Sequence, residues 1–230
     1  MRSKTARQLP SYSTHTNKER KIMLRHGAVR TLTKSASYTG VTTKLILPTT
    51  INLVNGYVDW YLGIGDAAIE AGISYSSAGF KVFLGSSYNN NSTYFQSNPV
   101  ASLGKGQTVD LKLVYNYATN RATLYVNGSA LPWTDNVNVG LTQNLLGTYN
   151  KVKMIHGVED QGGSSYSQAS FSQTQLRMDV AGAIYNTWTD NLSTTNRVVV
   201  STEENPADPN SAAKFTIYNF APLITKLDPA

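Results

Sequence analysis

Tyr57, Asp59 and Tyr61 alternate with Val58, Trp60 and Leu62, so an extended chain here shows two rings and a carboxyl on one face and an apolar row on the other. Sugar rings stack their C–H faces on flat aromatic surfaces, and their hydroxyls need fixed donors and acceptors. The tyrosine row offers both. Glu70 on the following stretch, Trp133 farther along and the loop Tyr88 to Asn91 add groups of the same kind. The opposing reading is that these are packing or surface rings, since tyrosine is favoured in strands anyway. Asp59 and Glu70 are also two carboxyls on neighbouring strands, the minimum for general acid–base work, and equally two charges on a solvated face. Arg177 shares a face with Asp179, opposite Leu176, Met178 and Val180, where its guanidinium could neutralise a uronate or pair with the aspartate.

Other chemistries have little to draw on. The chain has no cysteine, which removes disulfides, thiolate metal sites and cysteine nucleophiles together. Two of its three histidines fall in the first 34 residues, and His156 follows Val152 and Met154 in alternation, which makes it a core histidine before it is a base. No Ser-His-Asp arrangement is visible. No His-x-x-x-His or Asp-x-Asp-x-Asp-Gly spacing occurs, so no metal or other cofactor is expected, a single calcium among Asp135, Glu159 and Asp160 being the one candidate.

The elements that must position these residues are strands. In LKLVYNYATNRATLYVNG, residues 111–128, Leu111, Leu113 and Tyr115 alternate with polar neighbours, the pattern breaks at 118–120, and Ala122, Leu124 and Val126 resume it. That is an antiparallel hairpin, and Asn127-Gly128 turns the chain again because both residues tolerate positive φ. Strands are predicted near 42–47, 57–64, 69–75, 79–84, 108–116, 121–126, 151–157, 174–184, 196–200 and 214–219, separated by Gly-, Asn- and Ser-rich loops such as 85–91 and 161–167. No stretch of ten residues carries a helical stripe, and no apolar run approaches the ~20 residues of a membrane helix, so membrane insertion is not expected. Many short strands without βαβ alternation imply two antiparallel sheets packed face to face, in one domain.

Charge divides the 230 residues unevenly. Residues 1–34 hold nine Lys and Arg against Glu19, a net of 9 − 1 = +8, whereas the whole chain is only +6. The remainder is therefore near neutral, unlike a fold that meets phosphates on a basic face. Residues 1–40 are expected to be a disordered basic arm and 41–230 the β-sandwich domain. The arm reads as a solvated leader or as an electrostatic contact for nucleic acid, which would make the body a structural, capsid-like jelly roll.

Val58 to Ile64, Ile69 to Tyr75, Gly79 to Leu84 and the hairpin ending Leu124-Tyr125-Val126-Asn127-Gly128 resemble the concanavalin A-like lectin/glucanase superfamily over about residues 40–190. The order of short strands is also similar to secreted bacterial proteins of that jelly-roll class. The resemblance implies a two-sheet jelly-roll sandwich and an extracellular setting. It also implies what an enzyme of this class would show. The hydrolases carry a Glu-x-Asp-x-(x)-Glu run that is absent here, and the lyases a Gln-Ile-His triplet that Met154-Ile155-His156 only echoes. The expectation is a secreted, non-catalytic sandwich that binds carbohydrate or another extracellular polymer, with Tyr57, Asp59, Tyr61, Glu70, Trp133 and Arg177 as candidate ligand-binding residues. A polysaccharide lyase or hydrolase working in the concave face is the alternative.

Overall fold

The computed structural model describes residues 25–65, 68–85, 96–100, 102–130, 146–160, 162–202 and 215–229, and the backbone alone of Arg25, His26, 96–99 and 195–202. Within these residues, sixteen strands form two antiparallel sheets. The seven-stranded sheet runs β14 (Ser193–Thr202), β1 (Arg25–Thr33), β11 (Val152–Asp160), β4 (Tyr57–Ile64), β5 (Ile69–Ser76), β6 (Gly79–Gly85) and β7 (Gln96–Pro99). The nine-stranded sheet runs β10 (Ser129–Ala130), β9 (Arg121–Val126), β8 (Thr108–Asn116), β2 (Gly40–Ile46), β12 (Ser165–Arg177), β16 (Leu223–Leu227) and β15 (Phe215–Phe220). Two short strands, β3 (Ile51–Asn52) and β13 (Tyr185–Thr187), also pair with β12. Helix is confined to one 3-10 turn, Asp190–Leu192, among the described residues, and no helix there is long and apolar enough to cross a membrane.

Alternation does the work of building the core. Val58, Trp60, Leu62 and Ile64 of β4 are fully buried against the inward rows of β8 and β12. Trp60 meets Tyr166 of the opposite sheet edge to face, with ring centroids 5.4 Å apart. The hairpin β8–β9 has Leu111, Leu113 and Tyr115 inward as its sequence pattern requires, and Asn127 and Gly128 take φ values of 50° and 81° at the turn that follows. The polar partner of this turn is Asn127 Oδ1, which accepts the backbone amide of Asp110 at 2.9 Å.

Three expectations are corrected. The basic arm does not extend to residue 40: Arg25–Thr33 is an inner strand hydrogen-bonded between β14 and β11. Its inward row includes Thr31 and Thr33, which composition marks as polar but which are buried because their hydroxyls are bonded. Thr31 Oγ1 donates to the Phe220 carbonyl at 2.7 Å, and Thr33 Oγ1 accepts the Val152 amide at 3.0 Å. The strand expected at 174–184 instead occupies Ser165–Arg177, so the Gly- and Ser-rich loop predicted at 161–167 shrinks to the turn before it. After Arg177 the chain turns, with the Asp179 carboxylate accepting the amides of Ala183 and Ile184. The third correction is calcium. Glu159 and Asp160 are consecutive in β11 and face opposite sides of the sheet, Asp160 being buried and accepting the Ser164 amide.

Candidate functional site

The register of β11, β4, β5 and β6 lines their outward residues up in rows that run across the strands. One row is Lys153, Gly63, Glu70 and Gly85; the next is Ile155, Tyr61, Gly72 and Phe83; then Gly157, Asp59, Ser74 and Lys81; and last Glu159, Tyr57, Ser76 and Gly79. Together they form a groove of ≈ 340 Å³ lined by Tyr57, Asp59, Tyr61, Glu70, Ser74, Ser76, Lys81 and Phe83.

Glycines let side chains of one strand lean over the next. Lys153 passes over Gly63 and its ammonium bonds Glu70 on the far side; a methyl group at Gly63 would collide with the Lys153 methylenes. Tyr61 and Phe83 meet edge to face above Gly72, centroids 5.5 Å apart. Asp59 leans on Gly157, where a Cβ would strike its Oδ1. The result is an aromatic row beside a polar row.

Asp59 is the unusual group. Its Oδ1 is buried with no hydrogen-bond partner among the described residues. Burial, reinforced by the charges of Glu70 and Glu159 and only partly offset by the Gly157 amide and Lys153, pushes its carboxyl up to about 7. The other two carboxylates are engaged, Glu70 by Lys153 and Glu159 by the Tyr57 hydroxyl, which donates to Oε2 at 2.5 Å. Burial and that bond to Glu159 hold the Tyr57 phenol well above its usual range. Tyr61 is likewise raised, chiefly by burial.

Of the residues expected to bind a ligand, Tyr57, Asp59, Tyr61 and Glu70 converge on this groove. Arg177 does not. It stands at the end of β12 in the other sheet, donates from Nη2 to the Val180 carbonyl at 2.5 Å, and lines a separate cavity of ≈ 220 Å³ with Val114, Tyr115, Asn116, Tyr117, Ala118, Thr148 and Val180. Asp179, expected beside it on one strand, serves the turn instead. Trp133 and Asp135, like the loop Tyr88 to Asn91, lie outside the described residues. His156 faces the core: its Nδ1 is 2.8 Å from the Thr225 hydroxyl, its ring packs on Phe171, and burial drops its pKa to about 3. No cluster of three metal-binding side chains occurs among the described residues.

Sequence reasoning passed over Lys153, Ser74, Ser76, Lys81 and Phe83. The signal was parity, since Ser74 and Ser76 share the outward face of Glu70, and Lys81 and Phe83 share one of their own. What parity does not give is which residue of one strand stands beside which of the next.

No protein-family model matches the chain, and no curated protein does. Solved structures do. A scytalido-glutamic peptidase bound to a peptide-based transition state analog superposes with a TM-score of 0.56 at 9% identity, covering 88% of this chain and 98% of that one. A member of the Eqolisin family of peptidases, in complex with the tripeptide Ala-Ile-His, gives 0.49 at 10% identity, covering 89% and 98%. An alginate lyase from Pseudomonas aeruginosa gives 0.38 at 13%, covering 63% and 66%. Identities this low carry the fold and nothing finer: the chain is an all-β sandwich of two antiparallel sheets in the jelly-roll manner.

Proposed function

We propose that the protein binds a carbohydrate polymer outside the cell, in the groove on the outer face of the seven-stranded sheet, without turning it over. The observation that carries this reading is the pairing of an aromatic row, Tyr61 and Phe83, with an adjacent polar row, Asp59, Ser74 and Lys81, on a floor cleared by glycines. Rings supply stacking area, and hydroxyl, carboxyl and ammonium groups supply the fixed donors and acceptors that sugar hydroxyls need. What supports binding without turnover is the engagement of the carboxyls: hydrolysis of a glycosidic bond uses a pair of carboxyls flanking it, and here Glu70 is tied to Lys153 and Glu159 to the Tyr57 hydroxyl.

One observation favours a second reading, acid-catalysed cleavage of the bound polymer. A carboxyl at about 7 is placed where a general acid works at neutral pH, and Asp59 lines the groove.

The test is affinity electrophoresis through gels containing neutral and acidic polysaccharides. Retention by at least one polymer, reduced about tenfold by the Tyr57→Ala/Tyr61→Ala double replacement in a protein of unchanged melting temperature, supports binding. No retention on any polymer overturns it. New reducing or unsaturated ends, lost in Asp59→Asn, would establish cleavage in its place.

A further inference from the structure

Lys81 is the groove's uncommitted cation. It lies in the polar row, half-buried, separated from Asp59 by Ser74 alone, and two strand spacings place the two side chains about 10 Å apart across the sheet. No carboxylate pairs with it among the described residues. The other ammonium of the groove wall, Lys153, is already bound by Glu70, and its side chain is 3% exposed.

We propose that the groove selects anionic glycans, with a uronate carboxylate of the polymer paired to Lys81 and neighbouring hydroxyls read by Ser74, Ser76 and Asp59. This rests on the reading that the groove binds carbohydrate.

The charges facing this row decide the sign. Glu70 is neutralised by Lys153, Glu159 lies one row away against Tyr57, and Arg30 of β1 adds a positive charge that acts on Tyr61. Below neutral pH the Asp59 carboxyl is largely protonated, so the field at Lys81 attracts an anion, and Asp59 can donate a hydrogen bond to it. Above neutral pH Asp59 gains a negative charge two strands from the bound carboxylate. Attraction turns partly to repulsion, and affinity for an acidic polymer falls as pH rises through about 7. A neutral polymer has no such charge to repel.

The experiment compares polygalacturonate with its fully methyl-esterified form, which keeps the sugar rings and removes the carboxylates. Binding is measured by titration calorimetry at pH 6 and pH 8.5, at 50 mM and 500 mM salt. The proposal expects about tenfold tighter binding of the acid form at pH 6 and low salt, a preference that shrinks at high salt and at pH 8.5. Lys81→Gln is expected to draw the ratio of the two affinities toward one, and Asp59→Asn to keep the preference at pH 8.5. Equal or tighter binding of the ester, or an unchanged ratio in Lys81→Gln, overturns the selection of anions and leaves carbohydrate binding standing. If neither form binds and neutral glycans are also not retained, carbohydrate binding falls and this proposal with it.

Discussion

Lys153 reaches Glu70 across the full width of β4, passing over Gly63, so an ion pair joins two strands that share no backbone hydrogen bond. The two partners are unequally buried, the Lys153 side chain 3% exposed and that of Glu70 28%. Removing one charge of a buried pair leaves the other uncompensated, and the penalty follows the burial of what is left behind. Glu70→Leu strands a buried ammonium and is expected to cost ~3 kcal/mol. Lys153→Met leaves a carboxylate that water can reach and is expected to cost ~1 kcal/mol. Urea denaturation at pH 7 measures both. Equal losses would mean that solvent reaches the ammonium.

The groove floor makes a second contrast. A methyl at Gly63 meets the flexible chain of Lys153, which can swing aside and give up its bond to Glu70. At Gly72 a methyl lies about 2.5 Å from the Tyr61 Cα, backbone that cannot give way without opening the β4–β5 ladder. Gly63→Ala should therefore lower stability by ~1 kcal/mol, and Gly72→Ala by ~3 kcal/mol or more. The reverse order would show that Lys153 is the more rigid neighbour.

The two faces of β4 make a third. Trp60 is wholly buried against Tyr166, whereas Tyr57 is 36% exposed on the groove rim. Trp60→Ala is expected to cost ~3–5 kcal/mol, and Tyr57→Ala under ~1 kcal/mol. A shift of one residue in register would exchange the two outcomes, so thermal melts of both variants check the strand's orientation.

The same alternation made the inner strands legible, because Val58 to Ile64 and Val109 to Tyr115 write their buried faces in apolar residues. It failed at β1, whose inward Thr31 and Thr33 enter the core through hydrogen bonds to Phe220 and Val152, partners 189 and 119 residues away. Nothing local announces such partners. The groove was half legible for a related reason. Parity placed Tyr57, Asp59 and Tyr61 together, yet the neighbourhood of Asp59 with Lys81 and the distance of Arg177 depend on strand order. That order is set by long-range pairing.

Removing β1 tests the revised boundary. The strand supplies the whole ladder between β14 and β11, so a protein beginning at residue 41 loses an interior strand of the sheet and exposes two edges. Loss of the cooperative thermal transition in that truncation is expected. A truncation that melts like the full chain would return residues 25–40 to an arm.

The last prediction sets two buried titrations against each other. The Asp59 carboxyl moves up from 3.8 to about 7, so between those values the folded protein holds a proton that the unfolded chain has lost, and stability falls as pH rises through this window. His156 moves down from 6.5 to about 3, so there the unfolded chain holds the extra proton, and stability falls as pH drops. From about pH 4 to 6.5 the two slopes have opposite sign and similar size, ~1.4 kcal/mol per pH unit, and they cancel. Asp59→Asn removes one of them. Relative to the parent it should be more stable at pH 8, by ~4 kcal/mol, and should lose stability more steeply on acidification. His156→Gln removes the other, and relative to the parent it should gain stability as pH falls from 6.5 toward 4. The comparison uses differences from the parent at each pH, which subtracts the remaining titrating groups. If neither variant's difference changes across pH 4 to 8, neither buried group titrates as its surroundings require.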